Sequence, residues 1–227
     1  MARVFVRATG NYLEATTFPS VALPFTVVYW FYATDTTNIH YGWSASANIG
    51  GNVSYFFLGP RGDVSGDPIH AIADNEPAGT GIAATSSGYS ANTWHHAAGV
   101  FSSSTSRSVY LDGGSKVTNT TSASPDSINT MNVGAFYYTN TRFAGFGGRI
   151  AYLAMWNAVL SDDEIASLGQ KLNGVPCGVH PTRIRPESLV ACWPLGGFDG
   201  DHDGDIWANA YNLTAYNSPT WDESPAV

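Results

Sequence analysis

The sequence predicts an all-β sandwich of two antiparallel sheets with one short helix near residues 161–172. Three observations carry this. Two-fold alternation of side chains runs through residues 26–32, 94–101 and 149–156. Gly-, Pro- and Asp-containing turns separate the strand-like runs at hairpin spacing. A helix start stands in LSDDEIASL, where Ser161 is an N-cap and Glu164 follows at capping-box spacing.

Residues 3–7 and 12–15 read as the first short strands. Residues 25–33, FTVVYWFYA, place Val27, Tyr29 and Phe31 on one face and Val28, Trp30 and Tyr32 on the other. A strand apolar on both faces belongs at the centre of a sheet that is covered on both sides. Strands 41–46, 54–59, 69–74 and 80–85 follow, broken by Gly-Gly, Gly-Pro-Arg-Gly-Asp and Glu-Pro-Ala-Gly. In residues 93–101, Trp94, His96, Ala98 and Val100 oppose His95, Ala97, Gly99 and Phe101. VYLDG then closes on Asp112-Gly113, a hairpin turn signal. In residues 149–156, Ile150, Tyr152, Ala154 and Trp156 oppose Arg149, Ala151, Leu153 and Met155, and Trp156 is expected to be buried. The helix puts Ile165, Leu168 and Leu172 on one stripe that docks on the sandwich edge. Residues 189–195 form a late strand expected to pair with the N-terminal region. The stretch after Trp207 is polar and aromatic, with little periodicity.

A length of 227 residues suits one domain, 1–227, with a loop-rich segment at 196–227. Only 12% of residues are charged, so Ser, Thr and Asn must cover the surface. The net charge of -8 and ten scattered Lys and Arg argue against a nucleic-acid partner, which needs clustered cations. No apolar run reaches the roughly 18 residues of a membrane span. Residues 1–10 lack the apolar core of a secretory leader and read as a strand, so export by the general route is not expected. Cys177 and Cys192 either close a disulfide loop or stay as two buried thiols, which a cytosolic origin favours.

The order of Trp94-His95-His96-Ala97, Val109-Tyr110-Leu111-Asp112-Gly113, Val133-Gly134 and Gly148-Arg149-Ile150-Ala151, leading to Trp156 and the helix of NAVLSDDEIASL, resembles the laminin-G-like group of the concanavalin A-like lectin/glucanase superfamily. The resemblance extends to Gly10-Asn11-Tyr12-Leu13 and to residues 189–195. It implies a concanavalin A-like jelly-roll sandwich. It does not fix a function, because that group mixes lectins, enzymes, adhesion modules and structural proteins.

The superfamily's glucanases carry a Glu-x-Asp-x-x-Glu strand. None of Glu14, Glu76, Glu164, Glu187 and Glu223 stands in such a pattern, so no catalytic pair is expected. His95 and His96 are neighbours on a strand and point to opposite faces, which suits a packed His96 and a surface or cross-strand His95 better than a shared ligand. DGDHDGD at 199–205 sets Asp199, Asp201, Asp203 and Asp205 at the spacing of a Ca²⁺ loop, but position twelve is Ala210 rather than a bidentate Glu. The alternative is an open, solvated acidic loop. Arg61-Gly62-Asp63 is a turn first. Asn52, Asn119 and Asn212 sit in glycosylation sequons that matter only in a secretory host. Tyr41, Trp43, Tyr137, Tyr138, Trp207, Tyr211 and Trp221 are candidate sugar-stacking rings.

The expected protein is therefore not an enzyme. It is a virion-associated structural or accessory protein of a bacteriophage, a capsid decoration or a head or tail appendage, with a glycan-adhesive sandwich. It would be made in the host cytoplasm and located in the virion. The rival reading is a free-standing carbohydrate-binding module or lectin. Candidate partners are capsid or other virion proteins, surface glycans and further copies of the chain, with neither nucleic acid nor membrane among them. Ca²⁺ is the one candidate cofactor.

Overall fold

The computed structural model describes residues 2–15, 17–47, 54–138, 141–196, 204–207 and 211–222. Among these, two antiparallel sheets stack face to face. The first seven strands are β1 (Ala2–Phe5), β2 (Tyr12–Ala15), β3 (Phe25–Ala33), β4 (Trp43–Ser46), β5 (Ser54–Pro60), β6 (Ile69–Asn75) and β7 (Gly79–Ala84). Next come β8 (Trp94–Ser103), β9 (Ser106–Leu111), β10 (Gly114–Asn119), β11 (Thr130–Val133), β12 (Ala135–Tyr138), β13 (Thr141–Ala144) and β14 (Gly148–Trp156). Helix α1 (Asp162–Leu168) precedes β15 (Lys171–Leu172), β16 (Val175–Pro176), β17 (Leu189–Trp193), β18 (Thr214–Tyr216) and β19 (Thr220–Asp222).

The eight-stranded sheet runs β10-β9-β8-β3-β14-β1-β19, with β17 also paired to β14. The seven-stranded sheet runs β18-β2-β11-β4-β5-β6-β7. Strands β12 and β13 form a separate hairpin, as do β15 and β16. Strand β3 is central, between β8 and β14, as its two apolar faces require. Val27, Tyr29 and Phe31 enter the main core between the sheets, while Val28 and Trp30 are buried on the outer side. The Asp112-Gly113 turn has φ of 52° and 73°, the doubly positive geometry of the tight hairpin its sequence predicts. A side chain at Gly113 would also meet the Ala166 backbone of α1.

Helix α1 covers part of the outer face of the eight-stranded sheet, over β3, β8, β9 and β14. The Ser161 hydroxyl accepts from the Glu164 amide and the Glu164 carboxylate accepts from the Ser161 amide, so the predicted capping box is formed. Ile165 and Leu168 pack with Val28, Val100, Tyr110 and Trp156. Trp156 is fully buried, and its Nε1 donates to the Ile184 carbonyl at 2.7 Å. The helix stops at Leu168, however. Leu172 lies beyond it in β15 and is 67% exposed, so it is not part of the docking stripe.

Two further expectations are corrected. Strand β17 pairs with β14, not with the N-terminal region, which β14 meets separately through β1. The alternation of β14 also changes phase along the strand. A bulge between Ala151 and Ala154, with Tyr152 at φ 52°, leaves Ile150, Leu153 and Met155 inside and Ala151, Ala154 and Trp156 outside. No helix among the described residues is long and apolar enough to cross a membrane.

Candidate functional site: an aromatic groove on the seven-stranded sheet

Strand parity decides what the seven-stranded sheet shows to the outside. On β5, Phe56 and Leu58 fill the core, so Tyr55 and Phe57 face out. On β6, Ala71 and Ala73 face in, leaving His70, Ile72 and Asp74 on the outer side. The β12–β13 hairpin folds across this face. The Ser44 hydroxyl on β4 donates to the Ala135 carbonyl at 2.9 Å and fastens the hairpin to the sheet.

Alternation within the hairpin sends Phe136 and Tyr138 to one side and Tyr137 to the other. The Phe136 ring stacks on Tyr41 at 5.9 Å and meets Tyr55 edge-on at 4.7 Å, and Tyr138 stands 6.3 Å from Tyr55. Tyr41, Tyr55 and Phe136, with Ile39, Phe57, Ile72 and Arg61, bound a cavity of about 140 Å³. Tyr41, Tyr55, Phe136 and Tyr138 are half-buried, so their outward faces remain available. A flat apolar ring with a polar rim is the surface that a pyranose stacks on. On the far side of the hairpin, Arg142 lies 4.6 Å over Tyr12 and 5.1 Å over Tyr137, and Tyr12 stacks on Tyr216 at 4.7 Å.

The polar groups of this face are mostly paired internally. Arg61 Nε and Nη2 each donate to Asp63 at 2.8 Å, and this fork, opposed by burial, holds the Asp63 carboxyl below the usual range. Arg142 Nη2 donates to Glu14 at 2.6 Å and its Nη1 to the Tyr12 hydroxyl at 3.1 Å. His70 is pushed down to about 4 by burial and then by Arg61, so it is neutral near pH 7. Asp74 is 4% exposed; one carboxylate oxygen accepts from Thr80 at 3.1 Å, and burial, followed by this carboxylate, raises the pKa of the neighbouring Tyr55 hydroxyl.

Larger cavities lie elsewhere. One of about 640 Å³ opens between residues 17–22 and 125–129, with Asp126 as the one titratable group and Phe18 as the one ring in its wall. Another, of about 360 Å³, lies beside Arg7, Tyr32, Asp35 and Arg149. Neither gathers several rings around one space.

The other sequence candidates fall apart in space. Trp43 is fully buried in the main core. Trp207 packs with the residues under α1, and Tyr211 packs on the main core. Trp221 lies under Arg3, 3.9 Å from the guanidinium, at the edge of the other sheet. Arg61-Gly62-Asp63 is not a presented tripeptide. Its two charges bind each other, the Gly62 amide donates to the Asn38 carbonyl, and a side chain at 62 would strike Thr36 and Tyr89. Cys192 is a buried thiol, whereas Cys177 is an exposed one. Asp199, Asp201 and Asp203 lie outside the described residues. Asp205 is an anchor: its carboxylate accepts from the amides of Cys192 and Trp207 at 2.9 Å and from that of Tyr211 at 3.4 Å. Among the described residues no three His, Cys, Asp or Glu side chains converge as metal ligands.

His95 and His96 do point to opposite sides. His96 is buried beside Trp30, at 5.2 Å. His95 Nδ1 meets Asp112 at 2.8 Å, and its Nε2 faces both the amide and the hydroxyl of Ser90 at 3.1 Å. Ser90, His95 and Asp112 thus fall in line. However, Nε2 already accepts the Ser90 amide, and Lys171 holds the same Asp112 oxygen at 2.7 Å. The cluster clasps β8, the β9 turn and β15 together.

A laminin G family model, described as the Concanavalin A-like lectin/glucanases superfamily, matches residues 7–166. The chain belongs to this superfamily. No curated protein sequence matches it. Among solved structures, a Bacteroides ovatus protein named as a candidate carbohydrate binding protein superposes with a TM-score of 0.61 at 15% identity. That match covers 100% of this chain and 61% of the other, so the chain spans about three-fifths of that protein's length. The CBM40 module of a Ruminococcus gnavus IT-sialidase, bound to α2,3-sialyllactose, gives 0.54 at 14% identity over 65% of this chain and 83% of that one. Mouse laminin α1 domains LG4-5 give 0.53 at 17% identity over 76% and 44%. At such identities the likeness is one of fold, and what this superfamily member does must be read from its own face.

Sequence reading named Tyr41, Tyr137 and Tyr138 but missed Tyr12, Tyr55, Phe57 and Phe136. The parity of Tyr55 and Phe57 against Phe56 and Leu58 was the signal that could have found two of them.

Proposed function

We propose that this chain is a lectin-like, non-catalytic glycan-binding module whose binding face is the outer side of the seven-stranded sheet. The observation that carries the reading is the set of half-buried rings Tyr41, Tyr55 and Phe136 around a cavity rimmed by Arg61, with Tyr138 next to Tyr55. A small, ring-lined hollow with few polar groups suits one sugar ring stacked on an aromatic face. The sialyllactose-bound CBM40 module supports it as a sandwich of the same type that carries a glycan. The non-catalytic part rests on the carboxylates: Glu14 and Asp63 each face an arginine rather than a second carboxylate, unlike the paired acids of a glycosidase. A glycan array followed by calorimetry tests the proposal. Phe136→Ala and Tyr41→Ala should each abolish binding while leaving circular dichroism unchanged. Retained binding in both would overturn this location.

The proposal extends to setting. A charge-poor, Ser-, Thr- and Asn-rich chain fits display on a bacteriophage particle, as a capsid decoration or an appendage bound to other virion proteins. Mass spectrometry of purified particles tests this, and absence from every particle would leave a free-standing lectin. Ca²⁺ on the loop of Asp199, Asp201, Asp203 and Asp205 belongs to the same proposal, with a melting test given below.

A further inference from the structure

Granted that the aromatic groove binds glycans, the charge arrangement of its rim narrows the ligand class. We infer that the groove takes an uncharged sugar and discriminates against carboxylated or sulfated ones, because Arg61, the one charged residue in its wall among the described residues, is already neutralised from within the chain.

Among the described residues, three cations stand near the rings: Arg61 in the cavity wall, Arg142 across the β12–β13 hairpin, and Arg7, which flanks Gly145 together with Tyr41 and donates to the Ile39 carbonyl at 2.7 Å. Arg61 is locked in a two-point fork with Asp63, both contacts at 2.8 Å. That geometry uses the side of the guanidinium that matches a carboxylate. Arg142 is held by Glu14 at 2.6 Å, and the other Glu14 oxygen faces the Thr130 hydroxyl at 3.4 Å. The remaining groups do not restore a positive field. Asp74, cross-strand from Tyr55, adds a third carboxylate and has no ion-pair partner among the described residues. His70, beside Arg61, is neutral near pH 7. Arg61 and Arg142 therefore stand against three carboxylates, those of Asp63, Glu14 and Asp74, while Arg7 is engaged at the Ile39 carbonyl. An acidic sugar would have to displace a charge that costs its partner nothing to keep, and would meet the displaced carboxylate at close range. Like-charge juxtaposition at an interface is a strong discriminator. A neutral pyranose meets no such cost. It stacks on the rings and hydrogen-bonds to the outer edges of pairs that stay closed.

This assigns a specificity role to Asp63 and Glu14, which act by occupying the arginines rather than by touching the sugar. The experiment uses the full chain and matched pairs of oligosaccharides that differ only in oxidation of the terminal C6, glucose against glucuronate and galactose against galacturonate. Calorimetry on the wild type should show the neutral member of a bound pair tighter by roughly tenfold or more. Asp63→Asn frees Arg61 and should lift acidic binding by a similar factor while leaving neutral binding within about twofold. Glu14→Gln does the same through Arg142, and serves if the first variant is poorly folded. Acidic binding equal to or tighter than neutral binding in the wild type overturns the inference and leaves the glycan reading standing. Binding of neither member of any pair overturns both. Acidic binding unmoved in two well-folded variants would show that the internal pairs do not set the preference.

Discussion

Arg107 lies directly over Gly81, its guanidinium filling the space that a side chain at residue 81 would take on the opposite sheet. Arg107 is fully buried, and among the described residues its guanidinium partners are an amide oxygen and backbone carbonyls rather than carboxylates. Its Nη1 donates to Asn119 Oδ1 at 2.5 Å and to the Thr121 carbonyl at 2.8 Å, and Nη2 donates to the Ser104 carbonyl at 2.8 Å. Carbonyl dipoles replace the missing counterion, and burial lowers the guanidinium pKa.

Gly81→Ala should therefore destabilise although alanine suits a strand better than glycine. The expected loss is about 1–3 kcal/mol, the range for overpacking a core, read from urea unfolding. No loss would mean that the guanidinium moves aside freely.

Trp156→Ala should cost about 3–5 kcal/mol, the range for removing a large buried aromatic. The side chain is fully buried beneath α1 and makes one hydrogen bond, to Ile184. A loss under about 1 kcal/mol, normal for surface sites, would contradict the packing.

Acid should weaken the fold in a window set chiefly by two histidines, with His40 and His180, also lowered by burial, adding in the same direction. His70 and His96 are both held near 4 in the folded chain, chiefly by burial, against 6.5 for a free imidazole. The unfolded chain thus binds protons that the folded chain refuses. Stability is full above about pH 6.5 and falls as pH drops toward about 4, by on the order of 3 kcal/mol for each residue. His96→Phe should flatten that limb measurably in pH-dependent melting without abolishing it, because His70, His40 and His180 remain. Asp35 acts lower: hydrogen bonds from Asn38 and Thr37 outweigh burial and hold it at about 2, so its contribution is lost only below about pH 4.

Millimolar Ca²⁺ should raise the melting temperature if the acidic loop holds the ion, since a ligand that binds only the folded state stabilises it by mass action. Changing Asp201→Asn together with Asp203→Asn should abolish the rise. Asp205→Asn should lower melting with Ca²⁺ and with chelator alike, because Asp205 also accepts three backbone amides. Equal wild-type curves in Ca²⁺ and chelator would retire the site.

The fold was legible because apolar runs bounded by turn residues mark where strands lie. Phe25–Ala33 and Tyr12–Ala15 match the sequence reading residue for residue. The groove was less legible, for two physical reasons. Periodicity gives the parity of a strand but not where a strand begins. Tyr41 and Trp43 share parity, yet Trp43 opens β4 and goes inside while Tyr41 precedes it and stays at the surface. A bulge resets parity without a sequence mark: Tyr152 carries a positive φ that neither Gly nor Asn announces. The late strands β18 and β19 were missed because three residues are too few to show a period.

Those two short strands have a consequence for how the chain can fold at all. β18 pairs with β2 and β19 with β1, so one stretch, residues 214–222, shields an outer margin of each sheet. Both pairings join segments about 200 residues apart, and β14 must also wait for β17 to meet it. Such non-local closure makes for slow folding. Until it occurs, β1 and β2 offer bare amide and carbonyl rows to any neighbouring chain. The family match ends at residue 166, before β17, β18 and β19. A truncation drawn at that boundary would keep the superfamily's signature and still yield a sticky, self-associating protein.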